Sequence, residues 1–359
     1  GVSEMFFGMT WGGPMKHAFA GALHLAWHRR PERFRTPQNA SAARSSGLKA
    51  LDLTDPNAPL SVEKPKDFTW NQLLGFDACV QCGRCEAVCP AFAAGQPLNP
   101  KKLIQDMVVG MAGGSDAAYA GSPSPGKPVG EHAGSPHGPI VALEGKALVD
   151  ADTLWSCTTC RACVEECPMM IEHVDAIVDM RRHLTLERGK TPNKGAEVLD
   201  NLIATDNPGG FALEARLHWA ADLDLPRIAE LQAAREAARD PRPVEALLWL
   251  GDGAFDMRNQ RTLRAFVQVL RAARVDFAIL GAEERDSGDV ARRLGDEATF
   301  QSLAKRNIET LAKYHFNKIV SCDPHSFHVL KNEYGALGGE YQVLHHRTYM
   351  EELDNSNNH

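Results

Sequence analysis

The chain has 359 residues, 9 of them cysteines, and its 46 acidic and 39 basic side chains give a net charge of −7. This length predicts two or three domains, and the mild acidity excludes a general nucleic-acid-binding protein, which would carry a basic stripe. All cysteines but one fall in two short runs. That clustering excludes a disulfide scaffold, because small secreted frameworks spread their cysteines along the chain.

Residues 1–34 are predicted to form a membrane-associated helix with a basic flank. The segment has no signal-peptide pattern and no initiator Met, so we expect the chain to begin inside a longer protein. Residues 15–28 read as a helix at or in a membrane surface, and an ordinary amphipathic helix is the alternative. The flank typical of the cytoplasmic side of a membrane helix consists of Arg29, Arg30, Arg33 and Arg35.

Three histidines lie near one face of this predicted helix, namely His17, His24 and His28. They could contact a haem or a quinone, although haem ligation would need partner helices from elsewhere. Histidines at a membrane interface are the simpler interpretation.

The middle of the chain is predicted to be a helical module. Residues 35–66 are polar and rich in Pro, Ser and Ala, which indicates a linker. Residues 67–190 contain both cysteine runs, and PKKLIQDMVVGM and IEHVDAIVDMRRHLTLERGK place apolar residues at helical spacing. The density of Gly, Pro and Ser in residues 113–139 predicts a long surface loop.

In the C-terminal part, segments with the periodicity of a strand alternate with segments that have the periodicity of a helix. Residues 191–243 are predicted to be a helical connector, and residues 244–359 an α/β domain. Its predicted strands are EALLWLGDG, VDFAILG, NKIVSC and YQVLHH, with helices over 260–273 and 299–314. Strands that alternate with helices imply a parallel sheet covered by helices. The fold class is therefore α+β multidomain, and ELDNSNNH at the end suggests that the α/β domain stops before it is complete.

The two cysteine runs have the same spacing, with gaps of two, two and three residues and a final proline. This spacing is typical of two [4Fe-4S] clusters in which the fourth cysteine of each run binds the other cluster. The predicted ligands of cluster 1 are Cys79, Cys82, Cys85 and Cys167. The predicted ligands of cluster 2 are Cys157, Cys160, Cys163 and Cys89. Zinc is the alternative, but zinc knuckles normally come as separated pairs.

Residues between the ligands have two interpretations. They could donate hydrogen bonds to sulfur and raise the potential, or they could only serve a tight turn. These residues are Gly83, Arg84, Thr158, Thr159 and Arg161. We expect Met169 and Met170 to pack over a cluster and shield it from water. Because a cluster with four cysteine ligands has no open iron, the module should pass single electrons and bind no substrate.

The paired runs, the long insert and the α/β segments GDVARRLG, NIETL and SCDPHSFHVLKNEYGALGG resemble the heterodisulfide-reductase-related iron-sulfur proteins. That resemblance implies a helical ferredoxin module followed by cysteine-rich repeats, of which this chain would hold the first. The segments GPMKHAFAGALHLAWHRRPERF and AGSPSPGKPVGEHAGSPHGP resemble more closely the iron-sulfur subunit of bacterial dimethylglycine and related N-methyl-amine demethylation systems. The resemblance extends over almost the whole chain.

The resemblance implies partners and a location. Electrons would come from a flavin-dependent demethylase or an electron-transfer flavoprotein and pass through the two clusters toward a membrane domain or quinone. The chain would lie on the cytoplasmic side of the bacterial inner membrane. The alternatives are the iron-sulfur subunit of a glycolate- or lactate-type oxidase, a heterodisulfide-reductase-like enzyme or thiol-disulfide reductase, and a purely structural metal module.

The sequence departs from the family at the C-terminal repeat. Asp286 and Ser326 stand where active members have cysteines, and Cys322 alone remains of that set. One thiolate cannot hold a cluster, so this repeat is structural or borrows ligands from a second repeat, and heterodisulfide-type chemistry is not expected here. Cys322 is most simply a small buried residue. Two weaker signals are Gly251 and Gly253, an incomplete phosphate-binding loop, and His345 and His346, interpreted as core and cap residues.

Overall fold

The computed structural model describes residues 15–27, 48, 50–111, 139–142 and 148–357. Contacts divide the chain into two compact units, one within residues 1–45 and 53–190 and the other within residues 46–52 and 191–359. The described residues of the predicted linker are thus shared between the two units. Some predictions lie outside the described residues: His28, the basic flank with Arg29, Arg30, Arg33 and Arg35, and the predicted loop up to residue 138.

Short helices make up most of the first unit. Their bounds are α1 Met15–Trp27, α2 Trp70–Asp77, α3 Arg84–Ala87, α4 Pro90–Ala93, α5 Pro100–Met111, α6 Ala151–Trp155, α7 Ala162–Glu166 and α8 His173–Arg182. Two short strands, β1 Val141–Ala142 and β2 Val149–Asp150, pair in parallel. Because isolated helices of these lengths are marginal in water, the unit depends on packing between them.

The core of the first unit confirms the two long helices predicted there. Leu103, Ile104 and Met107 of α5 are buried, as are Val174 and Ile177 of α8. After α8 the chain continues as a π-helical turn over His183–Glu187. The fourth cysteine of each run is also buried in this core, so the cysteine runs and the hydrophobic core form one structure.

The second unit alternates helices and strands. Its elements are α9 Gly195–Thr205, α10 Ile228–Ala237, β3 Val244–Trp249, α11 Met257–Ala272, β4 Phe277–Ala278, α12 Asp289–Leu294, α13 Glu297–Leu311, β5 Phe316–Ser321, α14 Pro324–Asn332, β6 Val343–His345 and α15 His346–Asn357. The strands form one parallel sheet in the order β4-β3-β5-β6. The predicted parallel sheet is therefore confirmed.

Both faces of this sheet are buried. In β3, Leu247 and Trp249 pack into one hydrophobic core, whereas Ala246 and Leu248 pack into another. A strand that is covered on both faces has a nearly continuous apolar sequence, and this is why the segment EALLWL predicts a buried strand. The register places Leu247 beside Ile319 of β5, and the carboxyl ends of the strands meet at one edge.

Several boundaries differ from the predictions. β6 ends at His345, and His346 already begins α15, so the predicted strand to residue 346 was too long. α11 and α13 begin earlier than predicted because Asp256 and Asp296 cap them, accepting hydrogen bonds from the amides of Arg258 and Thr299. Helices α12, α14 and α15 were not predicted.

Helix α1 has 13 residues, and it packs beside α2. Within the described part of the chain, no helix has both the length and the apolar character that crossing a bilayer requires.

Candidate metal centre

The thiols of the two runs surround two cavities. The first has about 310 Å³ of space, part of it open to solvent, and its lining includes Cys79, Cys82, Cys85 and Cys167. The second has about 330 Å³, and its lining includes Cys89, Cys157, Cys160 and Cys163. Each cavity therefore takes three thiols from one run and one from the other.

The two runs share one backbone conformation. In the first run Gln81 and Gly83 have φ values of 55° and 79°, and the matching residues of the second, Thr159 and Arg161, have 54° and 61°. These left-handed residues turn the chain around each group of three thiols. Glycine adopts that conformation without strain and arginine rarely does, so Arg161 is held by contacts of its own.

The fourth cysteine of each run points to the opposite cavity because of the proline after it. A residue before proline is driven out of the helical region into an extended one. Cys89, before Pro90, has φ −75° and ψ 117°, and Cys167, before Pro168, has φ −71° and ψ 117°. The short helices α3 and α7 therefore end there, and each fourth thiol leaves its own turn.

The burial and crowding of the thiols favour a bound metal cluster. Burial raises the pKa of Cys79 to about 11, and that of Cys85 to about 12, with further repulsion from neighbouring thiols of the same set. Burial also raises the pKa of Cys157, an effect that Arg181 partly offsets. Crowded, desolvated thiolates need positive charge to be stable, and thiolate is the form that binds iron.

The two sets of thiols lie close together. Burial raises the pKa of Cys163, and nearby thiols that include Cys85 of the other set add to the effect. Helices α3 and α7, which carry these two residues, pack against each other. Cys82 and Cys160 are exposed, whereas Cys85 and Cys163 are buried. Each set therefore has one thiol toward solvent and one toward its neighbour.

Polar contacts around the second cavity centre on Arg161, which lines it. The guanidinium donates to Glu172 at 2.8 Å and to Asp175 at 3.1 Å, and these contacts hold the left-handed turn. The Thr159 amide lies 3.4 Å from Cys157 Sγ, as expected for a donor to sulfur. Both interpretations of the residues between the ligands, hydrogen bonding and turn geometry, thus apply to this run.

The other predicted neighbours of the thiols divide by position. Gly83 lines the first cavity and Thr158 the second, whereas Arg84 is not in the lining of either. Met169 lines the first cavity as predicted. Met170 is buried and has a φ of 58°, but it is in the lining of neither cavity, so its predicted role stays a prediction.

Several polar residues at the site were not predicted, and three of them are cations or a histidine. Lys101 lines the first cavity and forms an ion pair with Glu86 at 2.5 Å. His173 lines the same cavity, with Nδ1 2.9 Å from the carbonyl oxygen of Ile171. Arg181 donates to the carbonyl of Cys157 at 2.6 Å. The sequence showed only that these three residues lie on predicted helices close to the cysteine runs. It did not show which face of each helix meets a cavity.

The other histidines that the sequence analysis singled out, where the structure describes them, pack within the fold. His17 Nδ1 lies 2.6 Å from the carbonyl oxygen of Asp77, and His24 is buried on α1. The rings of His345 and His346 lie 4.2 Å apart, and each also meets a phenylalanine ring. This placement agrees with the interpretation as core and cap.

The second unit has internal partners at the positions that the family resemblance singled out. The Gly251 amide donates to Glu284 at 2.7 Å, so a carboxylate of the chain already occupies the incomplete phosphate loop. Asp286 accepts the Gly288 amide at 2.6 Å, and Ser326 donates to Asp323 at 2.5 Å. Cys322 is half-buried, and burial raises its pKa to about 12. Over the described ranges, no three His, Cys, Asp or Glu side chains converge as a single-ion site.

Two family descriptions match the chain. A 4Fe-4S dicluster domain matches residues 75–171, and a domain of unknown function matches residues 1–56. The first range contains every cysteine that lines a cavity, so the match supports iron-sulfur clusters as the cofactors of this unit.

Three relatives share most of the chain. It is 76% identical to a "Probable membrane-anchored ferredoxin" of Chromohalobacter salexigens, over 98% of this chain and 52% of the relative. It is 35% identical to the "Probable iron-sulfur-binding oxidoreductase FadF" of Bacillus subtilis, over 85% and 46%. It is 37% identical to the "EtfAB:quinone oxidoreductase" of Syntrophomonas wolfei, over 81% and 41%. The chain thus spans about half the length of these relatives.

The heterodisulfide reductase resemblance also has support. One of the subunits of the dihydromethanophenazine:CoB–CoM heterodisulfide reductase from Methanosarcina mazei is 24% identical over 80% of this chain and 65% of the relative. The closer resemblance to dimethylglycine systems stays a prediction. With its cavities, its dicluster match and these relatives, the chain is an iron-sulfur, ferredoxin-like protein related to heterodisulfide reductase subunits and to FadF-type iron-sulfur oxidoreductases.

Proposed function

We propose that this chain is the electron-transfer subunit of an oxidoreductase complex and relays electrons through two [4Fe-4S] clusters. Cluster 1 is held by Cys79, Cys82, Cys85 and Cys167. Cluster 2 is held by Cys157, Cys160, Cys163 and Cys89. The observation that carries the proposal is the crossed composition of the two cavities, because proteins with two such clusters exchange the fourth ligand in this way.

The chain's own residues supply what such a cluster needs. Four thiolates bind the four irons of a cluster, which exchanges single electrons and leaves no iron open to substrate. The Thr159 amide near Cys157 Sγ and the cations Lys101 and Arg161 at the cavities favour the reduced, more negative state. Substrate chemistry therefore belongs to a partner protein.

The electron donor in this proposal is a flavoprotein. One relative is named an EtfAB:quinone oxidoreductase, and an electron-transfer flavoprotein is therefore the first donor to test. A flavin-dependent demethylase of dimethylglycine-type amine catabolism is the enzyme from which the electrons would come, on the basis of the N-terminal and insert sequences. The acceptor is a quinone or another membrane component.

The proposed location is the cytoplasmic side of the bacterial inner membrane. Helix α1 exposes apolar side chains, among them Leu23 at 41% and Trp27 at 65%, which suit a lipid surface or a membrane domain of the same protein. A relative of this chain is named membrane-anchored. In this arrangement residues 1–34 attach the chain, residues 67–190 hold the clusters, and residues 244–359 form a structural repeat without a cluster.

Metal analysis tests the cofactors. After anaerobic purification or reconstitution, the chain should contain about eight irons and as much acid-labile sulfide. The control variant Cys322→Ser should contain the same amount, because Cys322 lies outside both cavities. Zinc in place of iron, or a colourless protein after anaerobic reconstitution, would refute the proposal.

Electron transfer tests the role. A reduced electron-transfer flavoprotein should reduce the reconstituted chain, and phospholipid vesicles that contain decylubiquinone should then oxidise it. Loss of both clusters in a Cys82→Ala, Cys160→Ala double variant should abolish both reactions. A native chain that accepts no electrons from any flavoprotein and also gives none to the quinone would contradict the relay.

A further inference from the structure

Helix α1 packs against the chain that leads into the first cysteine run. His17 Nδ1 on α1 lies 2.6 Å from the carbonyl oxygen of Asp77. Asp77 is the last residue of α2 and precedes Cys79 by two positions. The hydrogen bond therefore ties α1 to the backbone next to the first thiol of the first cavity.

A second contact joins α1 to the wall of that cavity. A Cβ atom added at Gly21 would lie 2.6 Å from Met169 Cε, closer than side-chain carbons approach one another. Met169 itself lines the first cavity, two residues after Cys167. The glycine thus lets α1 come close enough for the methionine to fill the space between the helix and the thiols.

A third contact joins α1 to α2. A Cβ atom added at Gly75 of α2 would lie 2.9 Å from Cε1 of His24, a residue of α1 that is 2% exposed. Gly75 of α2 thus leaves room for His24 of α1, and Gly21 of α1 leaves room for Met169. Such close packing makes α1 part of the environment of the first cavity rather than a loose extension.

The walls of the second cavity come from other elements. Besides its thiols, the lining includes Pro90 and Leu98, Pro100 of α5, and Val174 and Ile177 of α8. The two cavities, which are alike in ligands and turn geometry, therefore differ in what covers them. Met169, which meets α1 at Gly21, lines the first cavity and not the second.

From this asymmetry, and on the basis of the proposed function, we propose an order for the relay: cluster 1, on the Cys79 set, is the end nearest the membrane acceptor, and cluster 2, on the Cys157 set, takes electrons from the flavoprotein. Leu23 and Trp27 are exposed on the side of α1 away from Gly21, and Gly21 meets Met169. One helix thus separates an apolar outer surface from the first set of thiols.

The electron balance is simple. A reduced flavin, FADH2, would lose two electrons and two protons, and the electrons would pass singly to the cluster on the Cys157 set and then to the cluster on the Cys79 set. A quinone takes up two electrons from cluster 1, one after the other, and two protons from water. No further oxidant or reductant is needed.

The first test asks whether α1 shapes the environment of cluster 1. In Gly21→Leu the new side chain must displace Met169, so the midpoint potential of cluster 1 should shift while that of cluster 2 stays the same, as measured by EPR-monitored redox titration. The matched control is Ala22→Leu, the same addition at an exposed position of α1, which should shift neither. If the leucine variant does not fold, Gly21→Ala serves instead. A shift of cluster 2, or of neither cluster, would overturn the proposal.

The second test asks for the order directly. Cys82→Ala should leave only cluster 2, and Cys160→Ala only cluster 1. After reduction with dithionite and desalting, the Cys160→Ala protein should be oxidised by decylubiquinone in phosphatidylcholine vesicles at least tenfold faster than the Cys82→Ala protein. The reduced flavoprotein should show the opposite preference. The reversed pattern, or equal rates, would overturn the order alone, whereas a native chain that fails both reactions would count against the relay itself.

Discussion

The crossed grouping of the thiols predicts which pairs of cysteine substitutions damage the same cluster. Cys89→Ala removes one of the four thiols of the second cavity and none from the first. Because each [4Fe-4S] cluster contains four irons, the iron content should fall from about eight to about four per chain. The cluster that is lost should be the one that Cys157, Cys160 and Cys163 hold, although Cys89 belongs to the other run in sequence.

Double variants make this forecast sharp. Substitutions that act on one site do not add, whereas those at independent sites do. Cys89→Ala combined with Cys160→Ala should therefore retain about four irons, as either variant does alone. Cys89→Ala combined with Cys82→Ala should retain almost none. The reciprocal pairs use Cys167→Ala, which should retain about four irons with Cys82→Ala and almost none with Cys160→Ala.

The assay is iron and acid-labile sulfide per chain after anaerobic reconstitution and gel filtration, with EPR spectra of the reduced proteins to identify the remaining cluster. Cys322→Ser is the control for the loss of a thiol outside the cavities. The opposite pattern, in which Cys89 groups with Cys82 and Cys167 with Cys160, would refute the crossed ligation while leaving the number of clusters intact.

Three further predictions concern charged residues. Arg161→Gly preserves the left-handed turn, since Gly83 makes the same turn in the first run, but it removes a cation from the second cavity. In a redox titration, the midpoint potential of cluster 2 should therefore fall by roughly 40–80 mV, or about 1–2 kcal/mol. An unchanged potential would contradict the electrostatic argument. Arg292→Leu removes the guanidinium that the buried carboxylates of Glu297 and Glu333 share, so urea unfolding of the second unit should show a loss of about 3–5 kcal/mol, whereas the exposed control Arg347→Leu should cost under about 0.5 kcal/mol. Burial opposes ionisation of Glu333, but Arg293, His328 and Arg292 outweigh burial and hold its pKa well below the usual 4.5. The carboxylate therefore contributes its full stability above pH 4.5, and this contribution declines as the pH falls below 4.5. Glu333→Gln should make the free energy of unfolding less dependent on pH in this acid range, in the same unfolding assay.

The cysteine runs show how far sequence reasoning reaches. Spacing and the prolines were enough to predict which thiols would gather, because the effect of Pro90 and Pro168 on the preceding residue is local. The sheet was also predictable, since a strand such as β3 is apolar throughout. Both signals lie within a few neighbouring residues.

Contacts between distant segments were not predictable in the same way. Met169 and Met170 are chemically identical neighbours, yet Met169 lines a cavity and Met170 does not. Arg181 meets Cys157 from another helix, and Glu284 reaches the Gly251 loop across more than thirty positions. Such partners depend on how the elements pack, which periodicity does not encode.

The matching turns in the two runs have a consequence for how a direction is specified. A duplicated unit is nearly symmetric, so the ligands alone do not favour either direction of electron transfer between the two clusters. Here the symmetry is broken by side chains other than the ligands: Met169, which packs against a helix beside the first cavity, and Arg161, which two carboxylates hold beside the second. A change in the direction of electron transfer would then require substitutions only in these neighbouring side chains, while the cysteine ligands stay the same.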